Sequence, residues 1–116
     1  MGRRVAIVAF NGDPEFFAHV LLNALDMNGK GYEVKVVVEG GATRALVDLS
    51  REGQPYADLC REARGKGMID CVCGACAAKT GALEGIEALG LPLRGEMKGH
   101  PSIAAYMEQG YQVMTF

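Results

Sequence analysis

Three of the four cysteines of this 116-residue chain fall within six residues, Cys71, Cys73 and Cys76, in the run Asp70-Cys71-Val72-Cys73-Gly74-Ala75-Cys76. An apolar β-favouring stretch ends there and a helical stretch begins. Backbone N–H groups at a helix start lack intrahelical partners and carry the positive end of the dipole, so a cysteine at such a turn is stabilised as thiolate, the nucleophilic form. Cys73 is placed to cap that helix, with Cys76 one turn later on the same face. The expectation is therefore that Cys73 is the most reactive thiol and alkylates first. Cys71 lies one pleat deeper and reads as core, because free cysteine is among the most commonly buried residues.

These residues must be held by elements, and the pattern of the chain supplies them. Arg4 to Phe10 is a continuous strand-like run, and Asp13-Pro14 gives an N-cap and first-turn proline to a helix carrying Phe17, Val20, Leu21 and Ala24 at helical spacing. Tyr32 to Glu39 is a second strand. A short helix near Arg44 to Leu49 follows, then one opened by Pro55 whose Tyr56, Leu59, Cys60 and Ala63 share a face, which puts Cys60 in the core. Met68 to Val72 is the third strand and Ala75 to Thr80 a helix stopped at Gly81. Glu84 to Leu89 is helix-like, Leu91 to Leu93 is a short fourth strand, Gly95 to Gly99 is a loop, Pro101 opens a helix to Gln109, and Tyr111 to Phe116 closes the sheet. Such alternation predicts a single domain over residues 1–116: an α/β three-layer sandwich with a mostly parallel five-stranded sheet and helices on both faces.

Ligands of open parallel sheets gather beyond the carboxyl ends of the strands. Asn11, Gly12 and Asp13 follow the first strand, Glu39, Gly40 and Gly41 the second, Cys73, Gly74 and Cys76 the third, and Glu96 to His100 the fourth. Asn11, Gly12, Gly40, Gly74 and His100 are accordingly expected to line a site around the cysteines. His100 is open to three readings: general base, metal ligand or helix N-cap. Asp13 reads as an N-cap, His19 as a surface histidine, and Glu39 and Glu96 as solvated loop charges.

Composition narrows the class of function. A net charge of -2 with 22% charged residues lacks the basic stripe that neutralises phosphates, which argues against nucleic acid, and no glycine pattern makes a dinucleotide or phosphate loop. No run approaches the ~20 apolar residues of a membrane span. The apolar stretch behind Arg3-Arg4 is shorter than the roughly 7 to 15 residues of an export signal, so a cytoplasmic location is expected, where clustered thiols are catalytic or metal-binding more often than disulfide-bonded.

The order of elements, the cysteine opening a helix closed by Gly81, the Cys73-Gly74-Ala75-Cys76 motif and the tail from Gly99-His100-Pro101 to Gly110-Tyr111 resemble the DsrE/DsrF-like family, which includes TusD-type sulfur-relay subunits. The resemblance covers nearly the whole length. It implies a flavodoxin-like fold, assembly as a trimer or hexamer, and a persulfide carried on Cys73 for transfer between donor and acceptor proteins without a cofactor. Cys76 departs from the single-cysteine relay pattern and adds a resolving or second acceptor thiol. Two other readings stay open beside this sulfurtransferase-like one: a dithiol-disulfide oxidoreductase using Cys73 and Cys76, and a binding protein holding zinc or an iron-sulfur cluster on Cys71, Cys73, Cys76 and His100. The one-residue gap between Cys71 and Cys73 fits zinc-knuckle spacing poorly, so no metal is expected. An assembly subunit without chemistry of its own is the remaining alternative.

Overall fold

In the computed structural model, which describes residues 2–116, the elements run β1 (Arg4–Ala9), α1 (Pro14–Gly29), β2 (Glu33–Val38), α2 (Ala42–Leu49), α3 (Ala57–Gly65), β3 (Ile69–Cys73), α4 (Gly74–Lys79), α5 (Leu83–Ala88), β4 (Leu93–Arg94), α6 (Ile103–Glu108) and β5 (Gln112–Thr115). The five strands pair in the order β4-β3-β2-β1-β5, and every pairing is parallel. From β1 to β4 the chain advances across the sheet in one direction. Right-handed crossovers then put α1 to α5 on one face, and the return from β4 to β5 puts α6 alone on the other.

Burial follows this asymmetry. The larger core packs Ile7, Val36, Val38 and Val72 of the sheet against Phe17 and Leu21 of α1, Leu46 of α2, Cys60 of α3 and Ile86 of α5. Across the sheet, Ala6, Val8, Val37 and Cys71 meet Tyr106 of α6 and Tyr111, which are stacked edge to face at 6.0 Å, with half-buried Ile103 and Val113 beside them. The three-layer α/β sandwich expected from the sequence is present, with unequal outer layers.

A register shift in β3 determines where the thiols point. Val36 pairs with Ile69 but Val37 pairs with Cys71, so Asp70 is an extra residue in the strand. Such an insertion reverses the alternation of side chains beyond it. Ile69 and Val72 therefore belong to the larger core and Cys71 to the smaller one. Asp70 is held by Lys35 at 3.8 Å, by Arg94 at 3.1 Å and by the Tyr106 hydroxyl, which donates to it.

The packing of α5 on α2 depends on one missing side chain. A Cβ built at Gly85 would lie 2.5 Å from Val47 Cγ1, whereas one at Gly29, at the end of α1, meets nothing within 4 Å. Gly85→Ala is expected to destabilise the protein by about 1–3 kcal/mol through overpacking. Gly29→Ala should be neutral or stabilising by up to about 1 kcal/mol, because it restricts the unfolded chain. Thermal melts of the two variants check the pair, and equal melting temperatures would contradict the tight α2–α5 contact.

Candidate functional site

The thiol pair is built by the end of β3. Cys73 leaves the strand in an extended conformation (φ -64, ψ 119) and is the N-cap of α4, its Sγ accepting the Cys76 N–H at 3.4 Å. The capping role expected for Cys73 is met, and with it the placement of Cys76 one turn on. The helix has only six residues, which limits the dipole it can offer.

A tight loop after β4 brings a histidine over this turn. Met97 and His100 exchange two backbone hydrogen bonds of 2.8 and 3.0 Å, and Gly99 N–H donates to the Gly95 carbonyl at 3.0 Å. The Gly99 carbonyl accepts the Ala75 N–H at 2.9 Å and the Cys73 thiol at 3.6 Å. His100 Nδ1 consequently lies 3.1 Å from Cys73 Sγ and 3.6 Å from Cys76 Sγ. The turn after β2 closes the other side. Gly40 has φ 55 and sits so close to β1 that a Cβ would meet the Phe10 carbonyl oxygen at 2.9 Å, a conformation and approach suited to glycine. Glu39, just before it, points inward and puts Oε1 3.7 Å from His100 Nδ1.

Several expectations need correction here. Glu39 is not a solvated loop charge: it is only 6% exposed, and burial raises its carboxyl pKa while His100 opposes that shift. His100 is not the cap of α6, because Ser102 fills that place by accepting the Ala105 N–H at 3.3 Å. The electrostatic expectation for Cys73 is also reversed. Its side chain is fully buried, and burial, with Cys76 beside it, pushes the thiol up to about 12. Desolvation of the thiolate outweighs what one backbone N–H and a six-residue helix return.

Cys76 is the thiol that solvent reaches. It is half-buried and lines two adjoining grooves with Gly40 and His100. One, of about 590 Å³, continues over Lys79 and Thr80. The other, of about 530 Å³, runs along Phe10, Met97 and Ile103 and is largely apolar. Asn11 and Gly12 support the site without lining either groove: Asn11 Oδ1 accepts the Asp13 N–H at 2.8 Å, and the backbone of Gly12 abuts that of Gly41. Gly74 opens α4 beneath the loop, its Cβ position 3.5 Å from the Arg94 carbonyl oxygen, and it too lies outside the grooves.

The remaining titratable groups fall as read. Asp13 caps α1 by accepting the Glu15 N–H at 2.8 Å, His19 is exposed, and Glu96 is exposed with the Ser102 N–H at 3.4 Å. Cys60 and Cys71 are fully buried with thiols raised by burial, Cys71 resting 3.3 Å from the Tyr106 hydroxyl. Sequence reasoning underrated Glu39. Its signal was its place, directly after a valine-rich strand at the carboxyl edge, two positions beyond buried Val37 and so on the same side of the sheet.

A parallel α/β sandwich with two thiols, an imidazole and a buried carboxylate at the carboxyl edge of its third strand is the class that this geometry defines. The chain belongs to the DsrE/DsrF-like family, whose sequence model matches residues 4–116. It is 32% identical over 96 residues to an uncharacterized protein of Methanocaldococcus jannaschii, covering 83% of this chain and 76% of that one. An uncharacterized Archaeoglobus fulgidus protein is 40% identical over 43 residues, which is 37% of this chain and 70% of the relative. Among solved structures, a conserved protein of unknown function from Bacteroides thetaiotaomicron superposes with a TM-score of 0.75 at 15% identity, covering 97% of this chain and 94% of its own. A protein of unknown function from Methanobacterium thermoautotrophicum gives 0.66 at 17% identity, covering 98% and 99%. These two likenesses establish the fold.

Exposure orders the reactivity of the four thiols. Iodoacetamide at neutral pH should modify Cys76 first, and Cys73, Cys60 and Cys71 at least about tenfold more slowly, since burial both shields them and disfavours their thiolates. Peptide mapping after partial labelling reads the order, and Cys73 leading would contradict its buried state.

Proposed function

We propose that this protein is a small sulfur carrier in which Cys76 receives the sulfur and Cys73 stands behind it. The observation that carries the reading is the contrast within the pair: Cys76 opens onto both grooves, whereas Cys73 is fully buried 3.1 Å from His100 Nδ1. Membership of a family associated with sulfur relay supports the same chemistry. The family resemblance assigns the persulfide to the Cys73 position, and exposure favours Cys76 for the first attack. His100, 3.6 Å away, accepts the Cys76 proton. The Cys76 thiolate attacks the outer sulfur of a donor persulfide, a Cys76 S–S bond forms, the donor's S–S bond breaks, and the donor departs as a thiolate that takes up a proton. Lys79 lines the groove with positive charge for the resulting persulfide anion.

Cys73 decides whether the sulfur stays. As a thiolate it would attack the inner sulfur of the Cys76 persulfide, form a Cys73–Cys76 disulfide and expel hydrosulfide, which is the dithiol-oxidoreductase outcome. A buried, protonated Cys73 suppresses that step, so the carrier reading is preferred over the redox one. The location that suits this chemistry is the reducing cytoplasm. No helix among the described residues is long and apolar enough to cross a membrane.

Intact mass tests the carrier. After treatment with a persulfide donor, the protein should gain one sulfur that a reductant removes. Cys76→Ser should abolish the gain, and Cys73→Ser should keep it and hold it longer. Loss of two hydrogens without sulfur gain would favour the redox pair, and loading on Cys76→Ser but not Cys73→Ser would return the carrier role to Cys73.

The same reading includes a homo-oligomer, a trimer or hexamer. It rests on the outer edge of β5, the last strand in the sheet order, where Met114 is 44% and Phe116 39% exposed, and on Phe10 at 42% beside them. Unpaired strand edges and adjoining apolar side chains are the surfaces that subunits cover. Sedimentation at micromolar concentration should show a multiple of 12.4 kDa, and a 12.4 kDa species alone would remove the oligomer.

A further inference from the structure

We propose that Glu39, Cys73, Cys76 and His100 form a four-ligand site for a divalent cation of the zinc class, with His100 binding through Nδ1. One carboxylate oxygen, two sulfurs and one imidazole nitrogen from these residues all lie within 4.8 Å of one another. They come from three separate parts of the chain: the end of β2, the β3–α4 turn and the loop after β4.

The pattern of contacts separates a cation site from a hydrogen-bonded relay. In a relay the acid orients one ring nitrogen and the thiol engages the other. Here Cys73 Sγ, Cys76 Sγ and Glu39 Oε1 approach the same nitrogen, at 3.1, 3.6 and 3.7 Å. One nitrogen carries one proton or one lone pair and cannot serve three partners. A metal at the centre serves all of them. With zinc–sulfur bonds of about 2.3 Å and zinc–nitrogen or zinc–oxygen bonds of about 2.0–2.1 Å, tetrahedral edges run to roughly 3.3–3.8 Å; the three distances to Nδ1 lie within about half an ångström of these edges, and the set as a whole, within 4.8 Å, closes on an ion by a contraction of up to about 1 Å.

Glu39 points the same way. It is nearly fully buried, and its contact with His100 at 3.7 Å is too long for a hydrogen bond. A buried carboxylate needs a positive partner or a set of donors. Two thiolates and an imidazole select a zinc-class ion over magnesium or calcium, and Cys76 on the groove wall gives the ion a route in and out. Binding converts two thiols to thiolates and releases two protons, leaving a site of net charge −1 when the carboxylate and neutral imidazole are counted. Cys71 is not a ligand: its sulfur faces the Tyr106 hydroxyl at 3.3 Å in the smaller core. The four-ligand set read from sequence is thus changed by one member, Glu39 in place of Cys71.

On the sulfur-carrier reading, metal and persulfide exclude each other, because the ion occupies both thiolates. The metal test does not depend on that reading. Tag-free, reduced, chelator-treated full-length protein is titrated with Co²⁺ and with Zn²⁺, and sulfur loading is measured separately on the metal-free protein. The expected result is one ion per chain, thiolate-to-cobalt charge-transfer absorption with tetrahedral d–d bands, and displacement of cobalt by zinc. Cys76→Ser and His100→Ala, both at partly exposed positions, should weaken binding about 100-fold, and Glu39→Gln about tenfold with the charge-transfer band kept. Cys71→Ser and Cys60→Ser should bind as the parent. Absence of stoichiometric binding, binding unchanged in both Cys76→Ser and His100→Ala, or loss of the site in Cys71→Ser would each overturn the proposal.

Discussion

One backbone oxygen holds this site together. The Gly99 carbonyl accepts the Ala75 N–H at 2.9 Å and the Cys73 thiol at 3.6 Å, tying the loop after β4 to the first turn of α4. Ala75 N–H is one of the donors that a helix start leaves without an intrahelical partner, so the loop satisfies a need that the short helix creates. Position 99 is restricted for two reasons: φ is 94, and a Cβ there would meet Ala75 Cβ at 3.0 Å. His100 follows directly and inherits its position. Without this contact the imidazole would hang on an eight-residue connection; with it, the ring is held against both thiols.

The unequal layering of the sheet has a related effect. Five helices seal one face, and at the strand ends the backbones of Gly12 and Gly41 come into contact. The other face has a single helix, and the charged group Asp70, Lys35 and Arg94 lies on it beside Tyr106. The site lies where the two arrangements meet. Burial raises both a carboxyl group and a thiol there, the pattern of desolvation expected where charge is excluded until a partner supplies compensation.

The sequence made the architecture legible because periodicity and punctuation agreed. Asp13-Pro14 capped α1, the valine run made β2, and Cys73 ended a strand and opened a helix, so the element order and the gathering of Cys73, Cys76, Gly40 and His100 at one edge could be read directly. Boundaries moved by a residue or two where caps compete, as when Ser102 rather than His100 opened α6. What could not be read was solvation. Glu39 looks like a loop charge in sequence, whereas in the fold it is nearly buried with His100 of the β4 loop beside it. The thiolate expected of Cys73 meets the same obstacle: a helix start favours it, but desolvation of the buried side chain opposes it more strongly. The inserted Asp70 was equally invisible, since a bulge changes the facing of its neighbours without changing their pattern.

That bulge has a consequence for the covalent isomers open to the chain. Three thiols within six residues permit three pairings, and a protein that cycled between reduced and oxidised states would scramble among them if all were within reach. Cys71 is withdrawn from this set. Its sulfur faces the Tyr106 hydroxyl at 3.3 Å inside the smaller core, and it takes no part in the cluster that joins Cys73 and Cys76. A single pairing is left at the edge, so any disulfide formed there would join Cys73 to Cys76, with no wrong partner to correct on reduction.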